Sequence, residues 1–209
     1  MAPQPPAGSM FWEGKPSKDG AVYERTCRNG PDGAPVITTF VADGEVEAPP
    51  VDPAVVAQQA VAKMKLVGPD VASPRPAGRY TVGVPVWMWV NQSATTYGPN
   101  TASATAGGVT VTATATVTKI VWEMGDGAAV TCNGPGTPYR ASEGMTQSPT
   151  CGHVYARTAA TEPDGKYQVT ATSTWAIDWQ VAGGGEAGQF VETRQSQMQV
   201  AAGELQVVR

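Results

Sequence analysis

The longest regular pattern in the chain is the alternation of apolar and polar residues in "VTVTATATV", residues 109–117. Successive side chains of a β-strand point to opposite faces, so this pattern predicts a strand with valine and alanine on one face and threonine on the other. At Thr118–Lys119 the pattern shifts by one position, and Ile120, Trp122 and Met124 form the next apolar set. Because a one-residue shift reverses every side chain, we expect the chain to turn or bulge here and to begin a new strand.

Similar alternation recurs on both sides of this segment. It is found in "YTVGVPVWMWV" (80–90), "YQVTATSTWAIDWQV" (167–181) and "GQFVETRQSQMQVAAGELQVV" (188–208), the last of which we interpret as one or two strands. Pro85 lacks a backbone donor and therefore belongs near an edge or bend. Strands joined by Gly/Pro-rich turns, without regular helices between them, predict two antiparallel sheets packed face to face. The predicted fold class is all-β, with residues 79–209 forming the sandwich.

Residues 1–78 form the predicted N-terminal accessory region. Two strand-like runs, "AVYERTC" and "VITTFVAD", flank the turn residues "RNGPDGAP" and predict a hairpin. The Pro-rich segments "PQPPAG" and "EVEAPPVDP" are typical of extended linkers. One helix is predicted at about residues 53–66, with Asp52 as its N-cap and Pro53 in its first turn. Its apolar stripe is expected to pack on its own chain, with an interaction surface as the alternative.

Composition and charge narrow the classes of function. Charged residues make up 15% of the chain, the net charge is −4, and the basic residues are scattered singly. Proteins that follow a phosphate backbone carry a basic stripe, so no nucleic-acid partner is predicted. The segments "GGGEAGQF" and "GPGTPYR" lack the Lys-Ser/Thr of a phosphate-binding loop, so no nucleotide or other cofactor is expected.

Three cysteines bear on the cellular compartment. Cys132 and Cys151 enclose a segment rich in Gly, Pro, Ser and Thr, and a disulfide closing it is worth about 3 kcal/mol on the chain-entropy model. We predict that bridge, which leaves Cys27 for another partner, an intermolecular bond or a free thiol. A disulfide indicates a secreted or cell-surface protein whose signal segment is not in this chain, with membrane attachment only through a segment absent here. Three reduced cysteines in a cytosolic protein are the alternative, and no spacing of Cys or His predicts a metal site.

Three motifs in order, "VWEMGDG", "CGHVY" and "GKYQVTATSTW", resemble the pattern of PKD domains, which are immunoglobulin-like β-sandwich modules. The resemblance covers about residues 105–182 and implies a buried Trp122 and a structural Gly125–Asp126–Gly127 turn. It assigns His153 and Tyr155 to the His-x-Tyr motif and Tyr167 to the strand that follows. The segment between Gly127 and His153 is longer than is usual in that family. With its "PPAGSMFWEG" start, the whole chain is also similar to predicted exported proteins of actinobacteria.

Catalytic chemistry is weakly supported. Glu123 and Asp126 could act as an acid/base pair, but Asp126 between two glycines is typical of a turn in which the carboxylate bonds nearby backbone. His153 is the only histidine, so any Ser-His-Asp or Cys-His scheme must use it, and the chain has no GxSxG motif. We therefore predict that the protein is not an enzyme and has no catalytic residues.

Trp87 and Trp89 provide the remaining functional clue, because they alternate with Val86, Met88 and Val90 and make both faces of their strand apolar. Burial of both faces, with the helix covering one, is favoured over an exposed tryptophan pair that would serve as a binding surface. The predicted function is a non-enzymatic, exported or cell-surface interaction module that makes protein–protein contacts. The alternative is a carbohydrate-binding accessory module that uses exposed Trp and Tyr side chains.

Overall fold

The computed structural model describes residues 4–7, 9–12, 20–26, 36–42 and 51–204. The chain divides into two compact units, Met1–Pro50 and Val51–Arg209. The helix and the segment after it therefore belong to the second unit, whereas the sequence grouped them with the N-terminal hairpin.

In the part of the first unit that the structure describes, there are a short 3-10 turn, Met10–Trp12, and two strands, β1 (Gly20–Thr26) and β2 (Val36–Ala42). The strands pair antiparallel along their whole length, as a hairpin requires. The indole of Trp12 is buried and donates to the carbonyls of two preceding prolines. Cys27 lies outside the described residues.

The second unit contains one helix, α1 (Pro53–Met64), and ten strands in its described residues 51–204. They are β3 (Asp70–Ser73), β4 (Arg79–Thr81), β5 (Pro85–Trp87), β6 (Trp89–Asn91), β7 (Asn100–Ala106), β8 (Val109–Glu123), β9 (Ala129–Cys132), β10 (Gly152–Val154), β11 (Tyr167–Val181) and β12 (Ala187–Gly203). The large sheet has the order β4-β12-β11-β8-β7, and β9 pairs with the end of β8. Two further pairs, β3–β6 and β5–β10, complete the strand pairing.

The large sheet is mixed, because β4 runs parallel to β12. The prediction of purely antiparallel sheets was therefore wrong. Alternation along a strand determines which side chains face the core, but it does not determine the direction of a neighbour that is distant in sequence. Only a tight hairpin connection forces two strands to be antiparallel, and no such connection joins β4 to β12.

The shift at Thr118 is a β-bulge within one continuous strand. Trp175 of β11 lies opposite Val117, and Thr174 lies opposite Lys119, so Thr118 has no partner in the ladder. The core face consequently changes from the odd-numbered residues of β8 to Ile120 and the even-numbered positions after it. The bulge was predicted, but the new strand expected after it is the second half of β8.

A single core cluster is shared by α1, the inner face of the large sheet and the strands β5 and β6. Its largest side chains, Trp122 and Trp175, are 1% and 0% exposed. The opposite face of β7 and β8 carries hydroxyl groups that bond in cross-strand pairs, at oxygen–oxygen distances of 2.8 to 3.0 Å. Alternation thus separates an apolar core face from a hydroxylated outer face.

Helix α1 begins as its sequence predicts and packs on its own chain. Asp52 caps it, with Oδ1 accepting a hydrogen bond from the Ala54 amide at 2.8 Å. Its buried residues, Val56, Ala57, Ala60, Val61 and Met64, all join the core cluster. At its C-terminal end, the Lys63 ammonium donates to the Ser103 carbonyl of β7 at 2.9 Å. The helix therefore packs against β7 and β8, at one edge of the large sheet.

Candidate functional site

The Gly125–Asp126–Gly127 segment is a tight turn between β8 and β9. Both glycines have positive φ, +82° and +93°, where other residues are strained. Asp126 Oδ1 accepts a hydrogen bond from the Ala128 amide at 3.0 Å, the typical role of an aspartate in a turn. A side chain at Gly125 would meet the Gln168 carbonyl oxygen at 2.7 Å. Packing against β11 thus requires glycine at this position.

The second oxygen of Asp126 binds His153, a contact that the sequence did not predict. Asp126 Oδ2 lies 2.8 Å from His153 Nε2, and these side chains are only 12% and 9% exposed. His153 lies on β10, so the pair fixes β10 to the β8–β9 turn. The residues are 27 positions apart, and no local pattern indicates that they meet.

Two buried tyrosines pack beside the Asp126–His153 pair, and we call these four residues the motif cluster. The Tyr155 ring meets His153 edge-on at 4.7 Å and stacks on Tyr167 at 5.0 Å. Its hydroxyl donates to the Met124 carbonyl, and that of Tyr167 donates to the carbonyls of Arg157 and Thr158. Burial, reinforced by the nearby Asp126 charge, raises the pKa of both tyrosines. Both phenols therefore remain neutral donors near neutral pH.

The residues of the three sequence motifs thus meet in one place, where their hydrogen bonds and ring contacts join β10 to the β8–β9 turn and to β11. Beside His153 is a cavity of about 220 Å³ that Ser148 also lines. The Ser148 hydroxyl accepts hydrogen bonds from the backbone amides of Thr150 and Cys151 and makes no hydrogen bond to His153. A nucleophile and its base must be within hydrogen-bonding reach of each other, and the bonds made by this serine hold the loop instead. Glu123 is exposed at the end of β8 and is not part of the cluster.

The predicted disulfide between Cys132 and Cys151 is confirmed. The Cα atoms are 5.6 Å apart, and the two residues are 2% and 3% exposed. The bond joins the end of β9 to the residue before β10 and closes the loop 133–150, which we call the disulfide loop. The disulfide indicates an oxidising environment.

Trp87 is buried by the disulfide loop. Its ring meets Tyr139 edge-on at 5.5 Å, and its indole N–H donates to the Thr146 carbonyl at 2.8 Å. The helix, which the sequence favoured as the cover, packs on β7 and β8 instead. The single strand expected at residues 80–90 is divided into β4, β5 and β6, and on the side opposite Trp87 and Trp89 the segment supplies Val86, Met88 and Val90 to the core. Both faces of the chain are therefore buried at Trp87, as the alternation predicted. The disulfide loop covers the Trp87 face, where the helix was expected.

Trp89 is only half-buried and borders a second cavity of about 220 Å³. Four aromatic side chains, Tyr80, Trp87, Trp89 and Tyr139, line what we call the aromatic pocket. Tyr139 is 41% exposed and contributes a ring to the rim. The sequence identified the two tryptophans, but the tyrosines come from β4 and the disulfide loop. Nothing in the local sequence connects them to Trp87.

The polar atoms of the aromatic pocket are mostly bonded within the protein. The Ser73 hydroxyl donates to the Trp87 carbonyl at 2.6 Å, and the Tyr139 hydroxyl donates to the Gly144 carbonyl at 3.0 Å. The Tyr80 hydroxyl accepts from the Arg75 amide at 2.8 Å. Burial raises the pKa of Tyr80, which keeps this phenol neutral. The pocket therefore presents aromatic carbon more than open hydrogen-bonding groups.

A larger groove of about 620 Å³ lies beside β4 and the end of β12. Its charged side chains have both signs, with Arg79 and Lys166 near Asp164 and Glu204. Within the described ranges, no three His, Cys, Asp or Glu side chains are grouped closely enough to hold a metal ion.

None of the helices in the described part of the chain is both long and apolar enough to cross a membrane.

Comparison with known proteins gives no relative: no family model, no curated protein and no solved structure matches this chain.

Proposed function

We propose that this chain is a non-enzymatic binding module of an exported or cell-surface protein, and that it makes protein–protein contacts through the aromatic pocket. The observation that carries the proposal is the set of four aromatic rings around one cavity, of which Tyr139 is exposed and Trp89 is half-buried. Buried and half-buried tryptophan and tyrosine rings dominate the energetics of protein interfaces.

The disulfide supports both the export of the protein and the rigidity of the aromatic pocket. It indicates an oxidising compartment, which agrees with an exported protein. It also ties together the two ends of the loop that carries Tyr139, which reduces the conformational entropy lost when a partner binds. A preformed wall of this kind is suited to recognition.

We further propose that the second unit is a PKD-like, immunoglobulin-like sandwich. Three features support this assignment: the enclosed Trp122, the glycine-flanked turn at Asp126, and the contacts of His153 with Asp126 and Tyr155. In this proposal the motif residues are structural, and the binding surface lies elsewhere, at Trp87 and Trp89.

The test compares matched variants as bait against the envelope fraction of the producing organism. Tyr139→Ala removes an exposed pocket ring and Trp89→Ala a half-buried one, whereas Val191→Ala removes a 59% exposed apolar side chain on β12 and serves as the control. A captured protein is then purified and its affinity measured for each variant. We expect both pocket variants to bind at least about tenfold more weakly and the control to bind normally. Equal binding by all four proteins would contradict the proposal.

A carbohydrate-binding module is the second candidate, favoured by the half-buried ring of Trp89 and the exposed ring of Tyr139 at the pocket rim. Aromatic rings stack on the apolar faces of sugars. Binding to a glycan array that is lost in Trp89→Ala and retained in Val191→Ala would support this candidate over protein contact.

A further inference from the structure

We infer that the aromatic pocket binds an extended, proline-containing segment of its protein partner. This inference rests on the proposed function and specifies the chemistry of the partner. It follows from the size of the pocket, its lack of charge, the state of its hydrogen-bonding groups and its rigidity.

The size of the pocket limits what it can enclose. Small-molecule sites usually have volumes of about 300 to 1,000 Å³. At about 220 Å³, the aromatic pocket is smaller than that range. It has room for one or two side chains of a longer ligand that continues across the surface.

The lining is neutral. None of the nine residues around the pocket is an aspartate, glutamate, lysine or arginine. A charged ligand group would lose its hydration here and gain no opposite charge in return. The part of the ligand that enters is therefore uncharged.

The hydrogen-bonding groups select further, because three carbonyl oxygens at or next to the pocket each already accept one hydrogen bond, which leaves fewer free lone pairs for the donors of a ligand. The Gly144 carbonyl accepts from Tyr139, that of Trp87 accepts from Ser73, and that of Thr146 accepts from the Trp87 indole. A ligand that brings N–H or O–H donors would lose their bonds to water, at a cost of about 1–3 kcal/mol for each donor left unpaired. A sugar brings several hydroxyl donors on every ring and therefore needs more free acceptors than a ligand without donors.

Proline meets these conditions better than other residues. Its backbone has no N–H, so a run of prolines offers carbonyl acceptors and apolar rings but no donors. The Trp89 indole N–H makes no hydrogen bond to the described part of the chain and can donate to such a carbonyl. Grooves lined with aromatic side chains bind polyproline II segments by this combination of ring packing and carbonyl recognition.

The rigidity of the pocket agrees with an ordered ligand. The Trp87 and Tyr139 rings meet at 77°, which gives the pocket two walls at nearly a right angle. The bond from the Trp87 indole to Thr146 and the disulfide hold this corner in place. A polyproline II segment is also preformed, so neither partner loses much conformational entropy on binding.

The test uses the full chain labelled with ¹⁵N, so that each indole N–H gives one resonance. The Trp87 and Trp89 signals are assigned from single Trp→Phe variants. The probes are a capped decaproline peptide, a glycine–serine decapeptide, a leucine-rich amphipathic helical peptide, and cellohexaose and chitohexaose. Each is titrated to about 1 mM, a concentration that detects even weak contacts.

We expect decaproline to shift the Trp89 indole resonance saturably, and the glycine–serine peptide to leave it unchanged. Tyr139→Ala should weaken decaproline binding at least about tenfold, and Val191→Ala should not change it. Circular dichroism and the indole spectrum of each variant show whether it is folded.

The other outcomes separate this inference from the proposed function. Binding of the helical peptide at the same resonances without decaproline would overturn the proline inference and leave protein contact standing. Binding of the oligosaccharides alone would overturn both in favour of the carbohydrate candidate. If no probe shifts Trp89, the proline inference is wrong, and protein contact is then decided by the envelope experiment.

Discussion

Breaking the Cys132–Cys151 bond should remove a large fraction of the stability of the second unit. The bond joins residues 19 positions apart, and the chain-entropy model gives about 3 kcal/mol for a loop of this length. With a urea m-value of about 2 kcal/mol/M, the unfolding midpoint should fall by about 1.5 M. Domains of this size have total stabilities of only about 5–15 kcal/mol.

The measurement is urea unfolding of the same protein in its oxidised and reduced forms, which changes no side chain other than the bridge. Five of the six tryptophans lie in the second unit, so tryptophan fluorescence reports mainly on that unit. A Cys27→Ser background prevents exchange with the third thiol. A Cys132→Ala/Cys151→Ala double variant provides an independent comparison, although it also removes two buried sulfur atoms.

A free-energy difference below about 1 kcal/mol would refute this reasoning, because the unfolded chain would then gain little freedom when the bond opens. The disulfide loop also carries Tyr139 of the aromatic pocket. We therefore expect reduction to weaken partner binding even under conditions in which the protein remains folded.

Three further predictions concern the motif cluster and the disulfide loop. His153→Ala should destabilise the protein by about 1.5–3 kcal/mol in urea unfolding, because it leaves the nearly buried Asp126 carboxylate without its hydrogen-bond partner; an effect near zero would contradict the role of the pair as a joint. Gly136→Ala should destabilise by more than about 2 kcal/mol, since its φ is +81° and the new Cβ would lie 2.0 Å from the Met88 carbonyl oxygen. Gly108→Ala, which has φ +80° and open space around it, is the matched control and should cost only about 1 kcal/mol. Because burial raises the pKa of Tyr155 above its unfolded value of about 10, the neutral phenol stabilises the fold below that pH, and stability should fall as pH rises beyond it. Tyr155→Phe should reduce this slope in urea titrations between pH 8 and 11, and an unchanged slope would show that another group causes it.

Period-two alternation predicted the three longest strands, β8, β11 and β12, because apolar and polar residues alternate along much of their length. It did not predict the shorter β3, β7 and β9, and residues 80–90, expected as one strand, are divided among β4, β5 and β6. The same reasoning located the bulge at Thr118, since the apolar phase changes there. The cap at Asp52 and the glycines around Asp126 were also predictable, because their geometry depends on only a few neighbouring residues.

The remaining features depend on contacts between residues that are distant in sequence. The parallel direction of β4, the bond from Asp126 to His153 and the cover over Trp87 arise only when separate segments pack together. The aromatic pocket shows this most clearly: the indole of Trp87 bonds to a residue 59 positions away. Sequence patterns could identify the tryptophans as unusual, but they could not identify the segment that covers them.

Lys63 protects the folded protein against aggregation through its edge strand β7. Strand β7 borders the large sheet, and an unprotected border strand can recruit the strand of another molecule. The Lys63 ammonium already occupies the Ser103 carbonyl at this border. A strand of another molecule would have to displace the Lys63 ammonium before it could bond to the Ser103 carbonyl. Edge-to-edge pairing of two molecules through β7 is therefore disfavoured. Replacing this lysine with an apolar residue would expose that border and promote aggregation.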